Sequence, residues 1–158
     1  MNDSKIILVA DDDENDVFFL RRAFAKSALL HTIIHVPDGH KAIEYLLGDG
    51  IYADRRSHPF PDLFLLDLKM PRTDGFDVLA TLQSLPQLDV PIVVFSTSAL
   101  MTDIQMARKL GAREYVVKPA DQDEMIKIAL RLHEQWLSGP SPGKNRSEQH
   151  SAAKHSLT

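Results

Sequence analysis

Five polar residues stand where short apolar runs of the chain stop, and their types suit one kind of chemistry. Asp11 and Asp12 follow Ile-Ile-Leu-Val-Ala, Asp67 follows Leu-Phe-Leu-Leu, Ser96 follows Ile-Val-Val-Phe, and Lys118 follows Tyr-Val-Val. Three carboxylates gathered without a cation repel one another and raise each other's pKa, so such a cluster invites a divalent ion. Oxygen donors in a chain without cysteine fit Mg2+, which is held by a few carboxylates, water and commonly a phosphate oxygen. Beside that ion a carboxylate nucleophile, a lysine and a hydroxyl suit phosphoryl transfer to an aspartate. Its transition state spreads charge over the equatorial oxygens, and the protein has to position and neutralise them. In this arrangement Asp67 attacks, Asp11 and Asp12 hold the metal, Lys118 supplies a compact cation and Ser96 donates a hydrogen bond. Singly, each residue has an ordinary reading: Asp11 to Asp13 as a helix cap, Lys118-Pro119 as a turn, Ser96 as a strand-end hydroxyl. Their joint placement outweighs those readings.

Asp12 and Asp67 are 55 positions apart, Asp67 and Ser96 29, and Asp67 and Lys118 51, so a tertiary fold must unite them. Short, largely apolar segments at 5–10, 32–36, 62–66, 91–95 and 114–117 read as strands, and Phe64, Leu65 and Leu66, with no polar alternation, as one buried on both faces. Between them, helical spacing of apolar residues predicts helices over 14–28, 40–47, 76–85, 102–110 and 121–137. Val17, Leu20, Phe24 and Ala28 line the first, Val78, Leu82 and Leu85 the third. Met125, Ile128, Ala129, Leu132 and Trp136 form the inner face of the last, with Ile126, Leu130 and Leu137 as a second apolar row. Asp13 or a neighbour caps the first helix, Gly111 ends the fourth, and 48–61 reads as an extended surface loop. Strict alternation implies an α/β fold: a five-stranded parallel sheet, doubly wound as (βα)5, with right-handed crossovers. Ligands of such sheets gather outside the carboxyl ends of the strands, where the five polar residues fall.

The chain has 158 residues, 44% apolar and 25% charged, which suits one domain, expected over 1–137. Residues 138–158 lack aromatics, contain Gly-Pro-Ser-Pro-Gly and read as a disordered tail too short for an output domain. A net charge of −4 without a basic run argues against a nucleic-acid partner. No apolar stretch approaches the roughly 20 residues that span a bilayer, and 4–10 is too short for a signal-peptide core, so a cytoplasmic protein without a membrane partner is expected.

Four segments carry a resemblance: Leu-Val-Ala-Asp-Asp at 8–12, Leu-Leu-Asp-Leu-Lys-Met-Pro-Arg-Thr-Asp-Gly at 65–75, Ser-Thr-Ser at 96–98 and Tyr-Val-Val-Lys-Pro at 115–119. With them the chain resembles a response-regulator receiver domain of two-component signalling over roughly 5–137, which implies a flavodoxin-like receiver fold. The resemblance implies that Asp67 is the phosphoacceptor, with a sensor histidine kinase as donor. Asp11, Asp12, Asp67 and the Lys69 backbone carbonyl are then the Mg2+ ligands. Ser96 is the switch hydroxyl, Tyr115 the switch aromatic, and Lys118 the phosphate-sensing cation, followed by a cis peptide to Pro119. The long 48–61 loop, Ser-Thr-Ser and Trp136-Leu137-Ser138 are similar to stand-alone receivers serving bacterial phytochrome-type kinases. Lys69 and Ser98 occupy positions that tune acyl-phosphate hydrolysis in this family, and an ammonium at 69 that shields the phosphoryl group implies a long-lived phosphorylated state. The 102–137 face is the expected partner or homodimer surface. An aspartyl-phosphate phosphohydrolase is the rival class. It would want a second acid two residues after its nucleophile, where this chain has Lys69.

Overall fold

The computed structural model describes residues 4–140; of the expected 138–158 tail, 141–158 lie outside the described residues. Strands β1 (Ile6–Ala10), β2 (Thr32–Val36), β3 (Leu63–Leu66), β4 (Ile92–Ser96) and β5 (Glu114–Val117) alternate with helices α1 (Glu14–Lys26), α2 (Gly39–Leu47), α3 (Gly75–Gln83), α4 (Met101–Lys109) and α5 (Gln122–Leu132). The strands pair in parallel in the order β2-β1-β3-β4-β5. The order reverses between β1 and β3, which opens a crevice at their carboxyl ends, just where Asp11, Asp12 and Asp67 follow.

Period-two alternation splits the apolar strand residues between two cores. Leu8, Phe64, Leu66 and Val94 pack with Tyr45, Val78 and Ala107 on one face, whereas Ile7, Leu63, Leu65 and Val93 pack with Leu20, Phe24, Ala129 and Leu132 on the other. Having no polar face, β3 and β4 are buried throughout, as fits central strands of a sheet covered on both sides.

Four details differ from what the sequence suggests. Ala28 does not continue α1: it takes φ 55° beyond the helix end, where Leu29 N–H donates to the Phe24 carbonyl and Ala28 N–H to that of Ala25. This is a left-handed helix stop made without glycine, so Ala28 is exposed rather than core. Helix α3 ends at Gln83, leaving Leu85 outside it. After Leu132 the last helix widens into a π-turn, His133–Leu137, and the added residue rotates Leu137 inward to 1% exposure. Leu137 therefore belongs to the core, and Leu130, 42% exposed, is what remains bare of the second apolar row. Finally, 48–61 is anchored rather than extended. It contains a 3-10 turn, Gly50–Tyr52, and Arg55 donates to the carbonyls of Tyr45 and Leu46 at 2.8 Å each, satisfying the open end of α2. The guanidinium lies where a Cβ of Gly48, at φ 70°, would project.

At the opposite edge of the sheet from the acids, His31 and His133 tie the start of β2 to the end of α5. Lys5 N–H donates to His31 Nδ1 at 3.0 Å, so that nitrogen is bare; the ring proton sits on Nε2 and donates to His133 Nδ1 at 2.9 Å. Both rings must be neutral for this pairing. Burial, then the charges of His133 and Lys5, lower the His31 pKa below its usual 6.5. A base depressed in the folded state contributes stability above its unfolded pKa and loses it as pH falls. In urea unfolding His31→Asn should cost about 1 kcal/mol at pH 7.5, and the deficit should close toward pH 5.5. A deficit that does not change with pH would refute the neutral pairing.

Candidate functional site

The β1–α1 loop is shaped by its own acids. Asp13 N–H donates to Asp11 Oδ1 at 2.9 Å, and the Asp13 carboxylate caps α1 by accepting from the backbone N–H groups of Asn15 and Asp16. His35 Nε2 hydrogen bonds to the Asp11 carbonyl at 2.7 Å from the neighbouring strand. Asp11 is thereby held inward at 2% exposure while Asp12 faces solvent.

Across the crevice, Asp67 N–H donates to the Ala10 carbonyl at 3.0 Å, which continues the β1–β3 ladder and sets Asp67 beside Asp11. The chain then turns tightly. Arg72 takes φ 66° in a three-residue turn closed from Thr73 N–H to the Pro71 carbonyl, a strained geometry typical of ligand clamps and switch segments. Gly75 passes so near that a Cβ would meet the Asp67 carbonyl oxygen at 2.4 Å. Only glycine lets α3 start against the loop that carries Asp67. Asp74 and Asp77 then close a capping box at the start of α3.

The third side comes from β5. Lys118 N–H donates to the Ser96 carbonyl at 2.7 Å, and its side chain, 6% exposed, extends Nζ to 2.7 Å from Asp11 Oδ2, 2.8 Å from Asp16 Oδ2 and 3.4 Å from Asp67 Oδ2. Asp16 is the site residue that sequence reading places merely in the first turn of α1. The peptide preceding Pro119 is trans, not cis, as are all described peptide bonds; the trans form is the preferred one for X–Pro, and the ammonium reaches the acids without the alternative. A cleft of about 120 Å³ lined by Asp16, Phe19, Lys118, Pro119 and Met125 opens alongside.

Burial raises the Asp67 pKa from 3.8 to about 6, Lys118 opposing and Asp11 adding to the rise. Burial would lower the Lys118 pKa, but hydrogen bonds to Asp11 and Asp16 and the charge of Asp67 outweigh it and raise the value. Lys118 is therefore a permanent cation facing three acids, and a negative excess persists. Carboxylate oxygens of Asp11, Asp12 and Asp67 lie within 4.8 Å of one another. An all-oxygen, partly solvent-facing donor set with uncompensated charge fits a hard divalent cation. Lys69 is exposed, and its backbone N–H lies 3.4 Å from Asp67 Oδ1. Ser96 is fully buried at the end of β4, and Tyr115 OH donates to the Ser98 carbonyl at 2.7 Å.

A doubly wound α/β fold with an acidic, cation-seeking crevice at its topological switch point is the class defined by these features. Within it, the chain belongs to the response-regulator receiver family, whose receiver-domain profile matches residues 7–130. It is 31% identical over 137 residues to the response regulator Rcp1 of a Synechocystis strain, covering 86% of this chain and 91% of that one. Among solved structures it is similar to a phosphorylated cyanobacterial phytochrome response regulator, RcpA, with 35% identity, coverage of 88% and 99% of the two chains and a TM-score of 0.79. The Mn2+-bound form of Rcp1 gives 30%, 87% and 99%, and 0.75. Among the described residues no helix is long and apolar enough to cross a membrane.

Proposed function

We propose that this protein is a single-domain response regulator that takes a phosphoryl group from a sensor histidine kinase, of the phytochrome type, onto Asp67. The observation that carries the reading is the convergence of Asp11, Asp12, Asp67 and Lys118 at the β1–β3 crevice; the similarity to phytochrome response regulators supports the class of donor. Above its pKa of about 6 the Asp67 carboxylate is ionised and able to attack. A carboxylate oxygen forms the new bond to phosphorus as the P–N bond of the donor phosphohistidine breaks, and the departing imidazole keeps that electron pair. Lys118 Nζ, already 3.4 Å from Asp67, balances charge on the phosphoryl oxygens, and the Ser96 hydroxyl donates to one of them. Asp11, Asp12, Asp67 and the Lys69 carbonyl would hold Mg2+, which when bound supplies charge neutralisation. In this reading the exposed Lys69 side chain, two residues after Asp67, hinders water at the acyl phosphate. The output surface in this reading is the α4–β5–α5 face, which exposes Leu100, Met101, Met106, Val117 and Leu130 to a partner or a second copy.

Incubation with acetyl phosphate and Mg2+, read by intact mass, should add one phosphate to the wild type and none to Asp67→Asn, and EDTA should abolish the addition. Absence of labelling in the wild type would overturn the reading. Followed in time, the label should persist well beyond seconds; rapid decay that slows in Lys69→Asn would remove the shielding role. Sizing chromatography of the labelled protein tests whether the exposed face self-associates.

A further inference from the structure

We infer that Asp103 is a positioning residue for the phosphoryl pocket: acting through Ser98, it fixes the direction in which the Ser96 hydroxyl can donate. This deepens the phosphoacceptor reading and rests on it. Every polar group of Ser98 is engaged. Its Oγ donates to Asp103 Oδ2 at 2.6 Å and accepts from Leu100 N–H at 3.3 Å, its carbonyl accepts from Tyr115 OH at 2.7 Å, and its N–H donates to Ser96 Oγ at 3.2 Å.

A hydroxyl has one proton and two lone pairs, so an N–H donating to Ser96 Oγ occupies a lone pair and turns the O–H away from Ser98. The Ser96 proton is thus left for an incoming acceptor, provided Ser98 stays in place. What keeps Ser98 there is the first turn of α4. Leu100 stands at the N-cap position, where its side chain cannot cap, and Asp103 supplies the missing anion two residues into the helix, where the helix dipole favours it. The Asp103 carboxylate is the charged member of the chain Asp103, Ser98, Ser96 and so its strongest link. Asp103 touches neither the metal acids nor Lys118 in any described contact; those residues follow the ends of β1, β3 and β5.

The test is the rate of acetyl phosphate labelling in Mg2+, with Mg2+-dependent thermal stabilisation as the measure of an intact metal pocket. A charge-assisted hydrogen bond is worth roughly tenfold in a rate that depends on it, so Asp103→Ala should label about tenfold more slowly with its Mg2+ stabilisation unchanged. Asp103→Asn, which keeps an acceptor oxygen, should recover most of the rate. Ser98→Ala removes the same bond from the other side, and Ser98→Ala combined with Asp103→Ala should be no slower than the slower single variant. Wild-type labelling in Asp103→Ala, multiplying losses in the double variant, or a parallel loss of Mg2+ stabilisation would each overturn the assignment. Should Asp103→Ala fail to fold, Ser98→Ala and Asp103→Asn carry the same comparison. A wild type that takes up no phosphate would instead remove the phosphoacceptor reading, and this proposal with it.

Discussion

Lys118→Ala is expected to destabilise the metal-free protein by about 3–5 kcal/mol, the cost of leaving buried charges without their partner, and Mg2+ is expected to restore a large part of that loss. The ammonium is the one cation in described contact with Asp11, Asp16 and Asp67. Without it, Asp11 and Asp67, both nearly buried, face each other as like charges and one must protonate. Asp67 already holds its proton up to about pH 6, so the variant should push that value higher. A carboxylate raised in the folded state loses stability as pH rises through its folded pKa, hence the deficit should be larger at pH 8 than at pH 6. A divalent ion placed among the same oxygens supplies the missing charge and binds the folded state alone, which stabilises it by mass action. Urea unfolding in EDTA and in excess Mg2+ measures the effect. Equal losses in the two conditions would mean that Lys118 acts by packing rather than by charge.

The elements of this fold are legible in the sequence because the central strands β1, β3 and β4 are apolar on both faces and four of the five helices begin at a polar cap. Asp13, Asp38, Asp74 and Asp121 all accept from the helix starts they precede. Asp11, Asp67 and Lys118 are legible for the same reason, standing where an unbroken apolar run ends. Asp16 is not: an acid in a first helical turn is ordinary helix chemistry, and only the packing of α1 against α5 brings it to a lysine 102 positions away. Arg55 is hidden likewise, since nothing local distinguishes an arginine that closes the end of α2 from one in solvent. Ala28 and Leu137 mislead because a periodic pattern assumes that the helix continues unchanged. A left-handed stop at the first and a π-turn before the second rotate them off their projected faces. The Ser98–Asp103 contact depends on the path of a loop, which carries no periodic signal at all.

Asp67→Asn is expected to stabilise the metal-free protein at pH 7.5 by on the order of 1–3 kcal/mol, and Mg2+, expected to stabilise the wild type, should stabilise the variant far less. Burial sets the sign. It raises the Asp67 pKa from 3.8 to about 6, Lys118 offsetting only part of the cost and Asp11 adding to it. A group raised in the folded state leaves its full stability below its unfolded value and withdraws it as pH rises between the two. The wild type is therefore penalised at neutral pH for keeping this carboxylate ionised, and an amide, which does not titrate, escapes the penalty. The gain should shrink toward pH 4, where Asp67 is protonated in the folded state and only about half ionised in the unfolded one, and grow from there to about pH 7. His31 works in the opposite direction over part of that range, losing stability on acidification, but it is common to both proteins and cancels in their difference. Paired urea titrations from pH 4 to 8, with and without Mg2+, resolve the two effects. If the variant is less stable than the wild type in EDTA at neutral pH, the charge on Asp67 is a net asset through Lys118 and the account given for burial is wrong. If it is more stable, the protein sacrifices stability to hold an ionised carboxylate in a buried crevice, as sites built for chemistry do.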